Sequence, residues 1–307
     1  VLQVEIEIHV ARAPNFKRTF MIVSAQKSGF SGDRLKLGLI NSAWVGTPVD
    51  TARGIQLTRE IGFDTIDVFA DPMEITPQER KLIRQECSAA ALPVVSTICC
   101  ALGLADFNKV VRDFHTERAK RCLDFGCELD AKNLLLVVGE YIWQQEVIAP
   151  ADQWKWAVEH VRQLAEYAGT LALDLAIEIE PFHLSIVNGA DKMIRFLDDV
   201  DHPRAKANID VSHLVLAGDA ASKILDLRGR IAHVHLSDCD GKVHGDLPPG
   251  RGSVHFPPYL QALRDAGFER TISLELEYSP EPGRIADWVR EAYDATDRLM
   301  RTEGIRT

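Results

Sequence analysis

LAIEIEPFH (175–183), ANIDVSH (207–213), IAHVHLSD (231–238) and TISLELEY (271–278) are the four runs on which the reading of this chain turns. Each is a short apolar segment of strand character that closes on ionisable groups. The first carries Glu178, Glu180 and His183, the second Asp210 and His213, the third His233, His235 and Asp238, and the fourth Glu275 and Glu277. Helix-period segments near 189–200, 219–228 and 256–266 fill the gaps between them. Carboxylates and imidazoles delivered from four successive strands make a divalent-metal site.

Working outward, the same alternation covers residues 35–303. LKLGLIN reads as a buried parallel strand, and TARGIQLTREIGF as a helix stopped at Gly62. TIDVFA is a strand, and TPQERKLIRQECSAAA a helix with Thr76 as N-cap and Pro77 in its first turn. PVVSTICC, a helix over 105–128, NLLLVVGE and the amphipathic ADQWKWAVEHVRQLAEYAG follow, and a last helix spans 284–303. Eight strand–helix pairs predict an α/β fold, a (β/α)8 TIM barrel. A doubly wound sheet would open on a glycine-rich phosphate turn, whereas the turn here reads NSAWVGTP (41–48). Residues 1–34 are set apart as an N-terminal extension, in which VEIEIHV (4–10) alternates as a half-buried strand, and residues 35–307 as the catalytic barrel. The extension is read as a contact for a homo-oligomer, or for a hetero-oligomer with a smaller subunit.

The formal charge of −10 argues against general affinity for nucleic acid or anionic membrane, and a small sugar or glycoside suits the surface better. No apolar run reaches the ~20 residues needed to span a bilayer, and no signal segment precedes the barrel, so a cytoplasmic protein is expected. Six cysteines without CxxC spacing read as buried free thiols.

Residues at the C-terminal ends of barrel strands face the active-site mouth. Glu178, Asp210, His235 and Glu275 therefore converge, a set suited to Mn2+, Mg2+ or Co2+, with Zn2+ a further option. Strand alternation points Glu178 with Glu180, His233 with His235, and Glu275 with Glu277 to the same side, so either member of each pair could be the ligand. His213 and His244 are placed to reach the substrate, as are Trp44, Glu140, Tyr141 and Trp143 at the expected rim.

Glu178, Asp210-x-x-His213, His-x-His235 and Glu275, with HVHLSD and the later LPPGRG, resemble the sugar phosphate isomerase/epimerase superfamily of xylose-isomerase-like barrels. The resemblance implies one divalent metal, Mn2+ foremost, on Glu178, Asp210, His235 and Glu275, the spacing favouring Glu178 over Glu180. It also implies enolisation of a hydroxyketone sugar through a metal-stabilised enediolate, with Glu178 and Glu275 as the bases. Ketohexose epimerases carry an arginine shortly after the histidine ligand, and the matching segment here, CDGKVHGDLPPG (239–250), has none. That departure opens an alternative, a lyase that cleaves 3-keto C-glycosides by β-elimination, resembling the α-subunit of C-glycoside deglycosidases. A non-catalytic sugar-binding or regulatory barrel is the alternative of another class. Endonuclease IV, which shares the fold, needs histidines on earlier strands that DVFADP and STICCALG do not offer.

Overall fold

A computed structural model describes residues 35–143, 147–277 and 279–307. The extension with its expected strand over 4–10 lies outside the described residues. From Leu35 onward the chain is a closed barrel of eight parallel strands in sequence order. The strands are β1 (Lys36–Ile40), β2 (Thr65–Val68), β3 (Val94–Cys100), β4 (Asn133–Val137), β5 (Asp174–Ile177), β6 (Ala205–Asp210), β7 (Ile231–Leu236) and β8 (Thr271–Leu274). Barrel closure pairs Leu39 of β1 with Leu274 of β8.

The helices are α1 (Thr51–Ile61), α2 (Pro77–Ala89), α3 (Lys109–Glu128), α4 (Pro150–Thr170), α5 (Ala190–Val200), α6 (Val211–Ala217), α7 (Lys223–Asp226), α8 (Pro257–Asp265) and α9 (Ile285–Thr302). Their starts follow local chemistry. Asp50, Thr76 and Asn108 accept backbone N–H bonds at the heads of α1, α2 and α3, each cap contributing ~1 kcal/mol. The Asn108 cap sets α3 three to four residues later than the expected start at 105. Between β6 and β7 the single expected helix over 219–228 is replaced by two. The Asp210 side chain accepts from His213 N and starts α6 straight off the strand, and the left-handed Gly218 ends it.

Alternation on the strands divides the core in two. Leu37, Leu39, Ile66, Leu134, Leu136, Leu175, Ile177, Ile209, Val234, Leu236, Ile272 and Leu274 are buried under the helices. The inward set is largely polar: Thr65, Asp67, Ser96, Asn133, Asn208, Asp210, His233, His235, Thr271 and Ser273 are all buried. Gly38 makes room for it, since a Cβ there would sit 2.5 Å from Ser273 Oγ and 2.6 Å from Thr65 Oγ1. At the N-terminal floor the buried Asp174 carboxylate meets Lys206 at 3.0 Å and Arg204 and Arg270 at 3.2 Å. There too the barrel's two ends meet. Leu35 N donates to Ile305 O at 3.1 Å, and Arg306 reaches Asp64, Asp297 and Leu35 O.

Candidate metal centre

The inward polar positions climb towards the mouth as each strand ends. Asp210 closes β6, His235 is the penultimate residue of β7, and Glu178 and Glu275 each follow the last residue of β5 and β8. The register across β6 and β7 sets Asp210 opposite His235 and Asn208 opposite His233. Four site positions predicted from sequence therefore surround one point.

His235 is the hub. Its Nδ1 lies 3.3 Å from Glu275 Oε2 and 3.7 Å from Glu178 Oε2. Asp210, His235 and Glu275 each offer a ligand atom, all within 4.8 Å of one another. Glu178 is held on both oxygens: Oε1 accepts from Ile179 N at 2.9 Å and Oε2 from Asn208 Nδ2 at 2.6 Å. Asp210 Oδ1 accepts from Ser212 Oγ at 2.8 Å and His213 N at 2.9 Å. That leaves Asp210 Oδ2, His235 Nδ1 and Glu275 Oε2 buried without a hydrogen-bond partner among the described residues. Each such orphan ordinarily costs ~1–3 kcal/mol, and three sharing one spot is the pattern a bound cation would resolve. The electrostatics agree. Burial, with Asp246 and Asp210 adding to it against His235, pushes the Glu275 carboxyl well above its usual range. Burial opposes a charged His235, yet Glu275, Asp67 and Glu178 raise it well above the ordinary imidazole value. Three carboxylates around one imidazole thus attract positive charge, and these residues fit a divalent ion.

His213 sits in the first turn of α6, where its Nδ1 is 2.6 Å from Ile179 O and its Nε2 is 2.6 Å from His244 Nε2. Burial works against the His213 cation, but Asp210 and Glu178 hold it well above the usual value. Burial and the neighbouring His213 push His244 down. Ile179 O can only accept, so His213 donates from Nδ1, and one proton lies between the two facing Nε2 atoms. Asp246 Oδ1 lies 3.4 Å from the same His244 Nε2 and accepts from Ser237 Oγ at 3.2 Å. Burial beside Asp210 pushes Asp246 up to about 7. Glu180 lies one alternation above Glu178 and is likewise raised to about 7 by burial. Asp238 turns away from the hub to accept four backbone N–H groups, from Cys239 (2.9 Å), Gly250 (2.8 Å), Gly252 (2.9 Å) and Val254 (3.0 Å). It folds LPPGRG over the barrel end.

The rim residues divide. Trp143 is 59% exposed and packs against Phe107 with centroids 5.6 Å apart, and Glu140 is exposed. His183 is exposed too. Trp44 is instead 5% exposed, and its Nε1 donates to Thr58 Oγ1 at 3.2 Å. A Cβ on Gly54 of α1 would meet the Trp44 ring at 2.7 Å. Its indole is packed beneath the mouth, so it carries the first barrel loop and offers no N–H to a sugar.

Three buried groups escaped the sequence reading. Asp67, from TIDV on β2, reaches across the barrel to His233 Nε2 at 2.7 Å, and Asn208 anchors Glu178. Both carry a visible signal, a polar residue alternating with the apolar outward residues of its strand. Asp246 was likewise unassigned.

The family model of xylose isomerase-like TIM barrels matches residues 55–299. The chain belongs to that family. Among relatives of this xylose isomerase-like barrel, D-psicose 3-epimerase of Ruminiclostridium cellulolyticum is 25% identical over 72% of this chain and 76% of its own. Fructoselysine 3-epimerase of Shigella flexneri is 23% identical over 85% of this chain and 98% of its own. The solved IOLI protein with a bound zinc atom superposes on this barrel with a TM-score of 0.75 at 16% identity, covering 88% of this chain and 99% of that one.

Proposed function

We propose that this xylose isomerase-like barrel is a divalent-metal-dependent enzyme that enolises a hydroxyketone sugar or sugar derivative. The observation that carries the reading is the convergence of Asp210 Oδ2, His235 Nδ1 and Glu275 Oε2, buried and unpartnered among the described residues, beside Glu178. Glu178, Asp210, His235 and Glu275 would hold the ion. Mn2+ is our preferred ion, and the zinc-bearing structural neighbour keeps Zn2+ in view. When bound, such an ion acts as a Lewis acid that polarises a substrate carbonyl and acidifies the neighbouring C–H.

The protein's own groups would move the proton. Glu178 and Glu275 approach the hub from β5 and β8, and so flank whatever lies between them. One carboxylate removes a proton from the carbon beside the carbonyl, and its counterpart returns a proton to the opposite face, giving an epimer. Return to the adjacent carbon gives an aldose–ketose isomer. Asn208 and the Ile179 N–H fix Glu178 for this task. His213, anchored on Ile179 O, meets His244 Nε2 at 2.6 Å, and the pair would border the substrate. The psicose and fructoselysine epimerases among the relatives support a ketose or ketose-derived substrate. The barrel over 35–307 would be the catalytic unit, and no described helix is long and apolar enough to cross a membrane.

The cluster of His213 and Asp246 about His244 Nε2 supports a second reading. Its segment is the one that lacks the epimerase arginine, and an acid there could protonate a departing group, as cleavage of a 3-keto C-glycoside requires. One assay separates the two. Metal-loaded protein is incubated in D2O with a ketose panel and with a 3-keto C-glycoside, and deuterium uptake is measured against aglycone release. Uptake without release supports the epimerase or isomerase, and release supports the lyase. Exchange that survives both Glu178→Gln and Glu275→Gln would remove these residues as the bases.

A further inference from the structure

Asp67 is fully buried on β2, three strands from β7 around the barrel, in the polar interior beneath the metal centre. Its Oδ2 accepts from His233 Nε2 at 2.7 Å and faces His235 Nε2 at 3.7 Å. The His235 ring therefore has two charged sides, with Nδ1 towards Glu275 and Glu178 and Nε2 towards Asp67. His233 stands edge-on to it, ring centroids 5.0 Å apart and planes at 85°.

From this geometry we infer that Asp67 is a positioning residue for the metal centre. With Nδ1 on the cation the remaining ring proton sits on Nε2, and Asp67 is the carboxylate that Nε2 faces. The argument is one of tautomers. A neutral imidazole carries its proton on one nitrogen only, and a carboxylate facing that nitrogen stabilises it there. Metal-binding histidines are commonly backed in this way, which fixes the ring and raises its basicity as a ligand. His233 holds Asp67 in place, and its Nε2 is committed to that bond. Asp67, His233 and His235 also have ligand atoms within 4.8 Å of one another, but Asp67 and His233 are bonded to each other, which marks a strut and not a second ion pocket. The design also answers an electrostatic demand. A carboxylate with no solvent access needs positive charge to compensate it, and a cation on Nδ1 would add to that charge through the ring.

The inference rests on the proposed metal dependence, and its test separates the two. Mn2+ and Co2+ dissociation constants are measured by competition titration for wild type, Asp67→Asn and His233→Asn. Imidazole 15N shifts of Zn2+-loaded, histidine-labelled protein are recorded alongside. Wild-type His235 should show Nδ1 on the metal and a protonated Nε2. Asp67→Asn keeps the shape but loses the anion, and should weaken metal binding about 10- to 100-fold while moving the His235 Nε2 resonance. His233→Asn, which leaves Asp67 charged but unbraced, should give a smaller loss in the same direction and serves if Asp67→Asn does not fold. Wild type that binds neither ion would sink the metal reading itself. Wild type that binds while both variants match it within twofold, with His235 shifts unchanged, would overturn the role of Asp67 alone.

Discussion

Replacing Asp238 with Asn tests how the loop over the site is held. The carboxylate accepts from Cys239 N and Val254 N on Oδ1 and from Gly250 N and Gly252 N on Oδ2. An amide has one acceptor oxygen, so whichever way Asn turns, two backbone N–H groups face an NH2. Hydrogen bonds to a charged acceptor contribute about 1.5–3 kcal/mol each, so losing two costs about 3 kcal/mol at the low end. If the barrel bears that cost globally, a domain of this size at about 2.1 cal/mol/K per residue loses about 5 °C in Tm. If the loop releases first, the cost appears locally. Hydrogen exchange at the Gly250, Gly252 and Val254 amides should then accelerate about a hundredfold, at ~1.4 kcal/mol per decade. Amide exchange followed by mass spectrometry, with a thermal melt beside it, reads both. Unchanged protection at those three amides together with an unchanged Tm would refute the reasoning.

Other outcomes follow from the same geometry. Glu275→Gln should lower the deuterium-exchange rate at least a hundredfold, measured by NMR on the best ketose of the panel. Chelation should lower Tm, and re-addition of Mn2+ at a hundred times its Kd should restore about 2.7 kcal/mol, read by calorimetry. Asp246, at about 7 in the fold against an ordinary 3.8, keeps a proton that the unfolded chain releases, so stability falls as pH rises from ~4 to ~7. Metal-stripped Asp246→Asn should therefore gain on wild type through that window, by a few kcal/mol at pH 8 and less at pH 5, in urea titrations. Gly139→Ala combines φ +115° with a Cβ 2.1 Å from Leu102 O and should cost about 3 kcal/mol, measured by urea denaturation.

The barrel was legible because its punctuation is local. Thr76-Pro77 and Gly62 mark helix ends by their own chemistry, and continuous apolar strands point to a sheet covered by helices. The positions of Glu178, Asp210, His235 and Glu275 were legible because strand ends at a barrel mouth have no freedom to diverge. What escaped depends on the third dimension. Asp67 meets His233 across 166 positions of sequence, and nothing local to TIDV says which residue it will face. α6 was missed because VSHLVLA is too short to show a helical period and its start depends on one Asp210 side-chain bond. Trp44 reads as a rim aromatic until the small Gly54 is seen to admit its ring into the core.

The meeting of Leu35 with Ile305, clasped by Arg306, bears on how the fold can be rewired. Ends that already touch can be fused by a short glycine linker, and the polypeptide reopened at an exposed turn on the floor, with every strand left in register. A circular permutant of 35–307, Arg306 included, would then carry new termini at the face opposite the candidate metal centre. A reporter domain fused there would stand clear of that centre.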